Sequence, residues 1–245
     1  MATIDKVRVI VVGDSGVGKS SLTHLICHNQ PIKNPSWTIG CSVEVMLHEY
    51  KEGTPYQKTY FVELWDIGGS SSHRNTRSVF YQPTHGLCAI LWDFIPLKFY
   101  DYTVGIILVH DLTNRKSQQN LTKWLAEVLN KDGNSKSRPS SFDSYDPEQF
   151  VGSTQIPILV IGTKLDLAAE VRPNVTRRCS PIAEECGADE ILLDCHQVKS
   201  LAPGSGTSVK LTRFFDKVIE RRYHRQGERL SSCPPERRRP KLYTD

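Results

Sequence analysis

The chain has 245 residues, of which 38% are hydrophobic and 24% are charged, and its formal net charge is a modest +4. This length and apolar content suffice for one large core, and we expect a single domain and no nucleic-acid partner. The seven cysteines are scattered and form no CxxC pair, so neither a disulfide framework nor a zinc site is indicated. We therefore expect a reducing, cytoplasmic setting.

The first predicted strand, residues 7–12, runs directly into a glycine-rich loop, residues 13–20, with the sequence GDSGVGKS. This loop matches the phosphate-binding pattern GxxxxGK[ST], and a helix is predicted to follow at residues 21–29. Backbone N–H groups in such a loop converge on phosphate oxygens at the positive end of the helix. We expect the nucleotide phosphates to contact seven residues here: Ser15, Gly16, Val17, Gly18, Lys19, Ser20 and Ser21.

A polar loop at residues 31–40 precedes two alternating runs, residues 42–50 and 58–66, which predict an antiparallel hairpin. Thr38 lies in the loop, where it can close over Mg²⁺, and Asp66 ends the second strand of the hairpin. We expect Ser20, Thr38 and Asp66 to hold Mg²⁺, and the N–H of Gly69 to face the terminal phosphate. A short helix is predicted at residues 74–81.

Two segments, residues 86–93 and 105–111, both have the pattern of a fourth strand, although the fold has one place for it. The second segment carries a V-x-D-x-T ending. Residues 87–104 are then an insertion rich in Leu, Ile, Phe, Trp and Tyr. This insertion packs as an extra element, contacts a partner or membrane, or is an alternatively spliced or wrongly assigned segment, and we favour the last.

Apolar positions at helical spacing predict a helix over residues 117–129, with Ser117 as its cap. Residues 132–155 are rich in Ser, Asp, Gly and Pro and are predicted to be a flexible insertion. Buried strands are predicted at residues 156–162 and 190–194, and a C-terminal helix at 209–219. Apolar runs that alternate with amphipathic stretches indicate an α/β fold, a parallel sheet with helices on both faces.

Residues 162–166, with the sequence GTKLD, follow a buried strand. The Asp166 carboxylate can accept two hydrogen bonds from the N1 and N2 edge of guanine, and the aliphatic stem of Lys164 can cover the ring. Adenine offers no such pair of donors. The expected ligands are therefore GTP and GDP with Mg²⁺, and an ATP-dependent kinase is disfavoured.

Together these motifs resemble the Ras superfamily of small GTPases over residues 5–223, and within it the Rab-like group. The resemblance implies the P-loop NTPase fold with a mostly parallel six-stranded sheet, formed by a GTPase-like domain at residues 1–225. It also implies that Thr163, Asp194 and Cys195 contribute to the base site, where a backbone N–H would face the guanine oxygen. Effectors or regulators are expected at residues 31–45 and 66–82, and a homodimer is left open.

The chain departs from the family pattern at four places. Ser70 replaces the glutamine that orients water, so no residue is assigned a catalytic role. Pro31 replaces an aromatic residue beside the base, Thr163 replaces the commoner asparagine, and Asp194-Cys195-His196 replaces Ser-Ala-Lys. Slow hydrolysis and weak nucleotide retention are the expected consequences.

The C-terminal residues 226–245 are predicted to form a basic disordered tail. No lipidation signal, targeting segment or membrane-spanning run is found, so no lipid anchor is expected, and the tail predicts at most a weak contact with anionic membranes. The expected function is a GTP-controlled binding module with at most slow GTPase activity. The alternative is a scaffold or regulator of other small GTPases that does not cycle.

Overall fold

The computed structural model describes residues 5–81, 103–129, 156–171 and 180–224. Within these ranges six strands form one sheet in the order β2-β3-β1-β4-β5-β6. Only β2 is antiparallel to its neighbour, and the other pairs are parallel. This confirms the predicted mostly parallel six-stranded sheet. The strands are β1 Lys6–Val12, β2 Cys41–Tyr50, β3 Lys58–Ile67, β4 Thr103–Asp111, β5 Ile158–Thr163 and β6 Asp189–Leu192.

Seven α-helices lie in the described ranges, and together with short helical turns they cover the sheet. The turns are the 3₁₀ segments Ser71–His73 and Val198–Leu201 and the π-helical segment Glu220–His224. The helices are α1 Lys19–His28, α2 Arg74–Tyr81, α3 Arg115–Gln119, α4 Leu121–Leu129, α5 Leu165–Val171, α6 Pro181–Cys186 and α7 Gly206–Ile219.

The central strand β1 is buried on both sides, which explains its continuous apolar sequence. Val9 and Val11 pack on the face covered by α1 and α7, where Phe215 is among the largest fully buried side chains. Ile10 and Val12 pack on the opposite face against α2, α4 and α6. Each face thus has its own hydrophobic core, as expected for helices on both faces of the sheet.

The fourth strand corresponds to the second of the two candidate segments. Strand β4 pairs with β1 on one side and β5 on the other, and Val9 lies opposite Gly105. Thr103 and Val104, the last two residues of the predicted insertion, belong to this strand. The first candidate segment and the rest of the insertion lie outside the described residues, as do residues 132–155 and 226–245.

The helix cap predicted at Ser117 is wrong. Helix α3 begins at Arg115, and the side chain of Asn114 caps it by accepting a hydrogen bond from the N–H of Lys116 at 3.1 Å. Ser117 is buried within α3, where its hydroxyl accepts the N–H of Asp111 at 3.0 Å. In the described residues, no helix is long and apolar enough to cross a membrane.

Parallel strands bring their carboxyl ends to one edge of the sheet, where ligands of α/β proteins bind. The glycine-rich loop follows β1, Gly68 and Gly69 follow β3, and residues 164–166 follow β5. Residues 194–197 follow β6 at the same edge. The predicted phosphate and base residues therefore meet there although they are far apart in the sequence.

Candidate nucleotide-binding site

The glycine-rich loop closes around the side chain of Lys19. Gly16 and Gly18 adopt left-handed conformations, with φ of 75° and 92°, which lets the backbone turn into α1. The Lys19 ammonium is buried and donates to the carbonyls of Gly13 at 3.0 Å and Asp14 at 2.8 Å. Burial lowers the pKa of Lys19 to about 8, against the pull of nearby carboxylates. The loop thus holds the Lys19 ammonium in a fixed position.

Three oxygen-bearing side chains meet at the start of α1. Ser20 Oγ donates to Asp66 Oδ2 at 2.5 Å, and Thr38 Oγ1 donates to the same oxygen at 3.1 Å. The two hydroxyl oxygens are 2.9 Å apart. Burial raises the pKa of Asp66, and its buried Oδ1 accepts no hydrogen bond from the part of the chain that the structure describes. This all-oxygen set fits Mg²⁺, for which Ser20, Thr38 and Asp66 would be the ligands.

Gly69 packs directly against the glycine-rich loop. A Cβ atom at this position would lie 2.5 Å from the backbone nitrogen of Ser15 and 2.7 Å from the carbonyl oxygen of Gly13. Neither atom belongs to a flexible side chain, so only glycine fits. The preceding Gly68 donates its N–H to the carbonyl of Gly40 at 2.9 Å. The chain after β3 is thereby held between the glycine-rich loop and the start of β2.

Thr163 connects the phosphate and base regions. Its side chain is fully buried, and its hydroxyl oxygen lies 2.5 Å from the carbonyl of Val17 and 3.0 Å from that of His110. The hydroxyl can donate to either carbonyl, so the glycine-rich loop is tied to β4 and β5. Val17 itself is buried beneath the loop, where it supports the loop from inside.

Lys164 is held by an acidic residue that the sequence analysis did not assign to the site. Its ammonium lies 2.7 Å from Asp111 Oδ2, while Asp111 Oδ1 accepts from the N–H and hydroxyl of Thr113. Burial opposes ionisation of Asp111, but the Lys164 and Thr113 donors outweigh it and hold its pKa below the ordinary value. The V-x-D-x-T ending contains Asp111 and was the available signal.

Asp194 and Cys195 form the far wall of the base region. The buried Asp194 carboxylate accepts the N–H of His196 at 2.8 Å, which fixes the turn that follows β6. Burial raises the pKa of Cys195 to about 12, so its thiol stays neutral near pH 7. Asp194 thus contributes to the base region by fixing the conformation of the loop that follows β6.

A cavity of about 680 Å³ joins the two regions. Its volume lies in the usual range for small-molecule sites. Pro35, Ser36, Trp37, Ser70, Leu167 and His196 line it as well. Of the predicted site residues, Val17 and Asp66 are not in its wall. Those that line it are Ser15, Gly16, Gly18, Lys19, Ser20, Ser21, Thr38, Gly69, Thr163, Lys164, Asp166, Asp194 and Cys195.

Arg77 of α2 supports the cavity wall and was not identified from the sequence. Its guanidinium makes two hydrogen bonds to the Glu127 carboxylate, at 3.0 and 3.2 Å, and lies 4.2 Å from the ring centroid of Trp124. It also donates to the carbonyls of Gly68 at 3.3 Å and Ser70 at 3.1 Å. Arg77 therefore fixes the segment that contains Gly69.

Asp14 links the glycine-rich loop to the hydrophobic core on the sheet face that α2, α4 and α6 cover. Its carboxylate accepts hydrogen bonds from the Asn120 amide and the Trp124 indole N–H, both at 2.8 Å. The helical spacing of Trp124 indicated apolar packing and gave no signal for this polar contact. Through Trp124, the loop is connected to the Arg77 side chain and the segment after β3.

The chain is similar in sequence to several known proteins. The family model for the "Roc: Ras of Complex, Roc, domain of DAPkinase" matches residues 8–98. Rab-like protein 3 of Xenopus tropicalis is 53% identical, over 93% of this chain and 90% of the relative. Rab-like protein 3 of Homo sapiens is 50% identical, over 97% and 95%. Small GTPase LIP1 of Arabidopsis thaliana is 35% identical, over 67% and 43%.

These similarities extend well beyond the glycine-rich loop. About half of the aligned residues are identical across nine tenths of both chains, which a shared phosphate loop alone would not produce. The chain belongs to the Rab-like protein 3 family of small GTPases.

Proposed function

We propose that this protein binds GTP and GDP with Mg²⁺ and acts as a nucleotide-controlled protein-binding switch in the cytoplasm, in signalling or vesicle trafficking. One observation carries the proposal: a single cavity joins the phosphate loop at Lys19 to Lys164 and Asp166. Family membership supports guanine nucleotide binding and a regulatory role.

In this proposal, the residues at the phosphate end of the cavity neutralise the negative charge of the nucleotide phosphates. The Lys19 ammonium, already held by two loop carbonyls, contacts the terminal phosphates. Ser20, Thr38 and Asp66 hold Mg²⁺, which neutralises phosphate charge when bound. Because Thr38 comes from the loop before β2, its position responds to whatever fills this end of the cavity.

The base end selects guanine. The Asp166 carboxylate lines the cavity and accepts hydrogen bonds from the N1 and N2 groups of the base, which adenine does not offer. The Lys164 stem covers the ring because Asp111 anchors its ammonium at 2.7 Å. A buried polar group left without its partner is penalised strongly, so this contact discriminates between bases.

Partner binding is proposed at residues 31–45 and 66–82, of which the structure describes all but residue 82. Trp37 and Ile39, on either side of Thr38, are 85% and 83% exposed. Val43, Val45 and Leu47 continue an apolar surface along β2, the edge strand of the described sheet. Such a surface is typical of a protein contact. GTP would order Thr38 and Gly69, and with them this surface.

Hydrolysis is proposed to be slow and nucleotide exchange fast. Ser70 lines the cavity at the position of the usual glutamine, and its hydroxyl lies 2.6 Å from that of Ser72. A serine side chain is too short to orient water as glutamine does. Pro31, in place of an aromatic residue, removes an apolar contact with the base, which favours release.

A second candidate function is a non-cycling scaffold or regulator of other small GTPases. Ser70 favours it, since a protein that hydrolyses GTP poorly cannot return quickly to the GDP form. The intact set of Lys19, Ser20, Thr38 and Asp66 favours the switch. The two functions differ in whether partner binding depends on the nucleotide.

The test of the proposed function uses the purified full chain. Nucleotide extracted from it is identified, and fluorescent GTP is displaced by GDP or by ATP. We expect guanine nucleotide, displacement by GDP and none by ATP, whereas equal displacement by ATP would overturn guanine selection. Partner capture from cell extract with GTP-loaded and GDP-loaded protein then separates the two functions, and sedimentation of the same samples tests for a homodimer.

A further inference from the structure

Two histidines and a glutamate form a cluster at the far end of α1 from the phosphate loop. His24 and His28 lie one turn apart on the helix, and Glu44 faces them from β2. His24 Nδ1 lies 3.7 Å from Glu44 Oε1, and His28 Nε2 lies 3.3 Å from Glu44 Oε2. Among the described residues, this is the group of ligand-type side chains that converges outside the nucleotide site.

These distances match those between the ligands of a tetrahedral zinc ion. Bonds of about 2.0–2.2 Å to nitrogen and oxygen place neighbouring ligand atoms about 3.3–3.6 Å apart. The three ligand atoms lie within 4.8 Å of one another, and the two imidazole rings are 4.5 Å apart between centroids. The 4.8 Å limit is wider than the tetrahedral spacing, so the side chains would draw together on a bound ion.

The environment of Glu44 supplies a second observation. Its Oε2 is shielded from solvent and makes no well-aligned hydrogen bond within the described residues, although His28 Nε2 lies 3.3 Å away and the Cys27 thiol lies beside the same carboxylate. A shielded carboxylate oxygen that is weakly hydrogen-bonded is costly, and a bound cation would stabilise it. The cluster is nevertheless accessible, because the side chain of His28 is 51% exposed and that of His24 is 29% exposed.

We propose that His24, His28 and Glu44 form a Zn²⁺ site, with the fourth position open to water. Two imidazole nitrogens and one carboxylate are a ligand set typical of zinc, whereas Mg²⁺ prefers oxygen donors alone. The site is therefore chemically distinct from the oxygen cluster at Ser20 and Asp66. The sequence analysis looked for zinc ligands among the cysteines, and the ligands proposed here are not cysteines. Glu44 is also far from the two histidines in the sequence, and the packing of β2 on α1 brings it to them.

The ion would connect two elements that both lead to the nucleotide. Helix α1 begins at Lys19 directly after the phosphate loop, and β2 begins three residues after Thr38. A bound ion therefore fixes the end of α1 to the strand that follows the Thr38 loop. Since the site needs both elements in their folded positions, Zn²⁺ stabilises the folded protein by mass action.

The test uses the full chain loaded with GDP and excess Mg²⁺, so that the nucleotide site is filled, in a reductant that does not bind zinc. ZnCl₂ is titrated by calorimetry, and CoCl₂ by visible absorbance. The ligand variants are His28→Ala and Glu44→Gln. His73→Ala and Glu52→Gln are the matched controls, because both residues are exposed and lie outside the cluster.

We expect one micromolar Zn²⁺ site in the parent and the controls, with affinity at least about tenfold weaker in each ligand variant. Zn²⁺ should raise the melting temperature of the parent but not of the ligand variants. The Co²⁺ form should show tetrahedral bands without a sulfur charge-transfer band. Absence of micromolar binding, unchanged affinity in either ligand variant, or a sulfur band would each overturn the proposed ligand set.

Discussion

The two ends of the cavity are built differently. At the phosphate end, Lys19, Ser20 and Thr38 line the cavity themselves, and each matches the family pattern. Their side chains contact loop carbonyls and Asp66, which all belong to the predicted phosphate and Mg²⁺ site. At the base end, Thr163, Lys164 and Asp194 line the cavity, and Lys164 has a partner outside the predicted site. Thr163 contacts Val17, Lys164 contacts Asp111, and Asp194 accepts from His196. The base end thus depends on Asp111, a supporting residue that does not line the cavity.

This difference bears on one of the four departures from the family pattern, the threonine at position 163. A phosphate is recognised by backbone N–H groups and a fixed charge, so a change of residue type there removes the function of the side chain directly. At the base end, a threonine can replace asparagine at 163 because its hydroxyl still reaches two backbone carbonyls.

The strongest test of the phosphate end is Lys19→Ala. It removes the ammonium that is placed for the terminal phosphates, and charge-assisted contacts of this kind contribute about 3 kcal/mol, or about a hundredfold in affinity. We expect GTP and GDP affinity to fall by at least this factor in a fluorescent-nucleotide titration with Mg²⁺.

Lys33→Ala is the matched control for that experiment, because Lys33 is exposed and outside the cavity. Its nucleotide affinity should equal that of the parent. Melting curves of both variants separate lost binding from lost folding. If a folded Lys19→Ala protein kept parental affinity, the phosphate end would not be the dominant half of the site.

Asp166→Asn tests the base end directly. The amide presents a donor where guanine needs an acceptor, and a lost charged hydrogen-bond pair costs about 1.5–3 kcal/mol, so GTP affinity should fall by about ten- to a hundredfold. Xanthosine triphosphate should gain affinity. Competition titrations measure both effects, and Asp189→Asn is the control on β6. Unchanged base preference would remove Asp166 from the recognition site.

The parts of the site that depend on local spacing could be predicted from the sequence. The glycine-rich loop, the Thr38 loop and residues 163–166 each place their chemistry within a few positions after a strand, and the parallel sheet brings those strand ends together. The second of the two fourth-strand candidates was also the correct one, because it carries the V-x-D-x-T ending.

The supporting contacts could not be predicted, since they join side chains that only packing brings together. Asp14 and Trp124 are 110 positions apart, and Arg77 and Glu127 are 50 apart. Trp124 lies on the apolar face of α4, so its spacing predicts apolar packing and not a hydrogen bond from the indole N–H. The cap at Asn114 was missed for another reason, because the neighbouring Ser117 has the same chemistry as a cap and lies closer to the apolar run.

Ser70→Gln tests the missing catalytic group between the two ends. Unaided small GTPases that have glutamine hydrolyse at about 10⁻⁴ per second, and the parent should be slower. The substitution should raise the single-turnover rate by about tenfold, since the longer amide can orient water, while affinity stays the same. Ser78→Gln is the control, because Ser78 is exposed on α2 and does not line the cavity. A parental rate already near 10⁻⁴ per second would show that another residue orients water.

The smallest effect is expected from Asp111→Asn, which tests the contact between Asp111 and Lys164. The substitution removes the charge that anchors the Lys164 ammonium at 2.7 Å but leaves Lys164 in place. We expect fluorescent GDP to dissociate about three- to tenfold faster, which corresponds to about 1 kcal/mol. Glu63→Gln is the control, because it breaks a comparable ion pair with Lys6, at 3.2 Å, that does not line the cavity.

A double-mutant cycle shows whether Asp111 acts through Lys164. In a Lys164→Met background the ammonium is absent, so Asp111→Asn should add little to the dissociation rate. Additive effects of the two substitutions would mean that Asp111 affects GDP by another route, such as the Thr113 turn that its second oxygen holds. Lys164 would then not depend on Asp111, and the base end would lack this supporting contact.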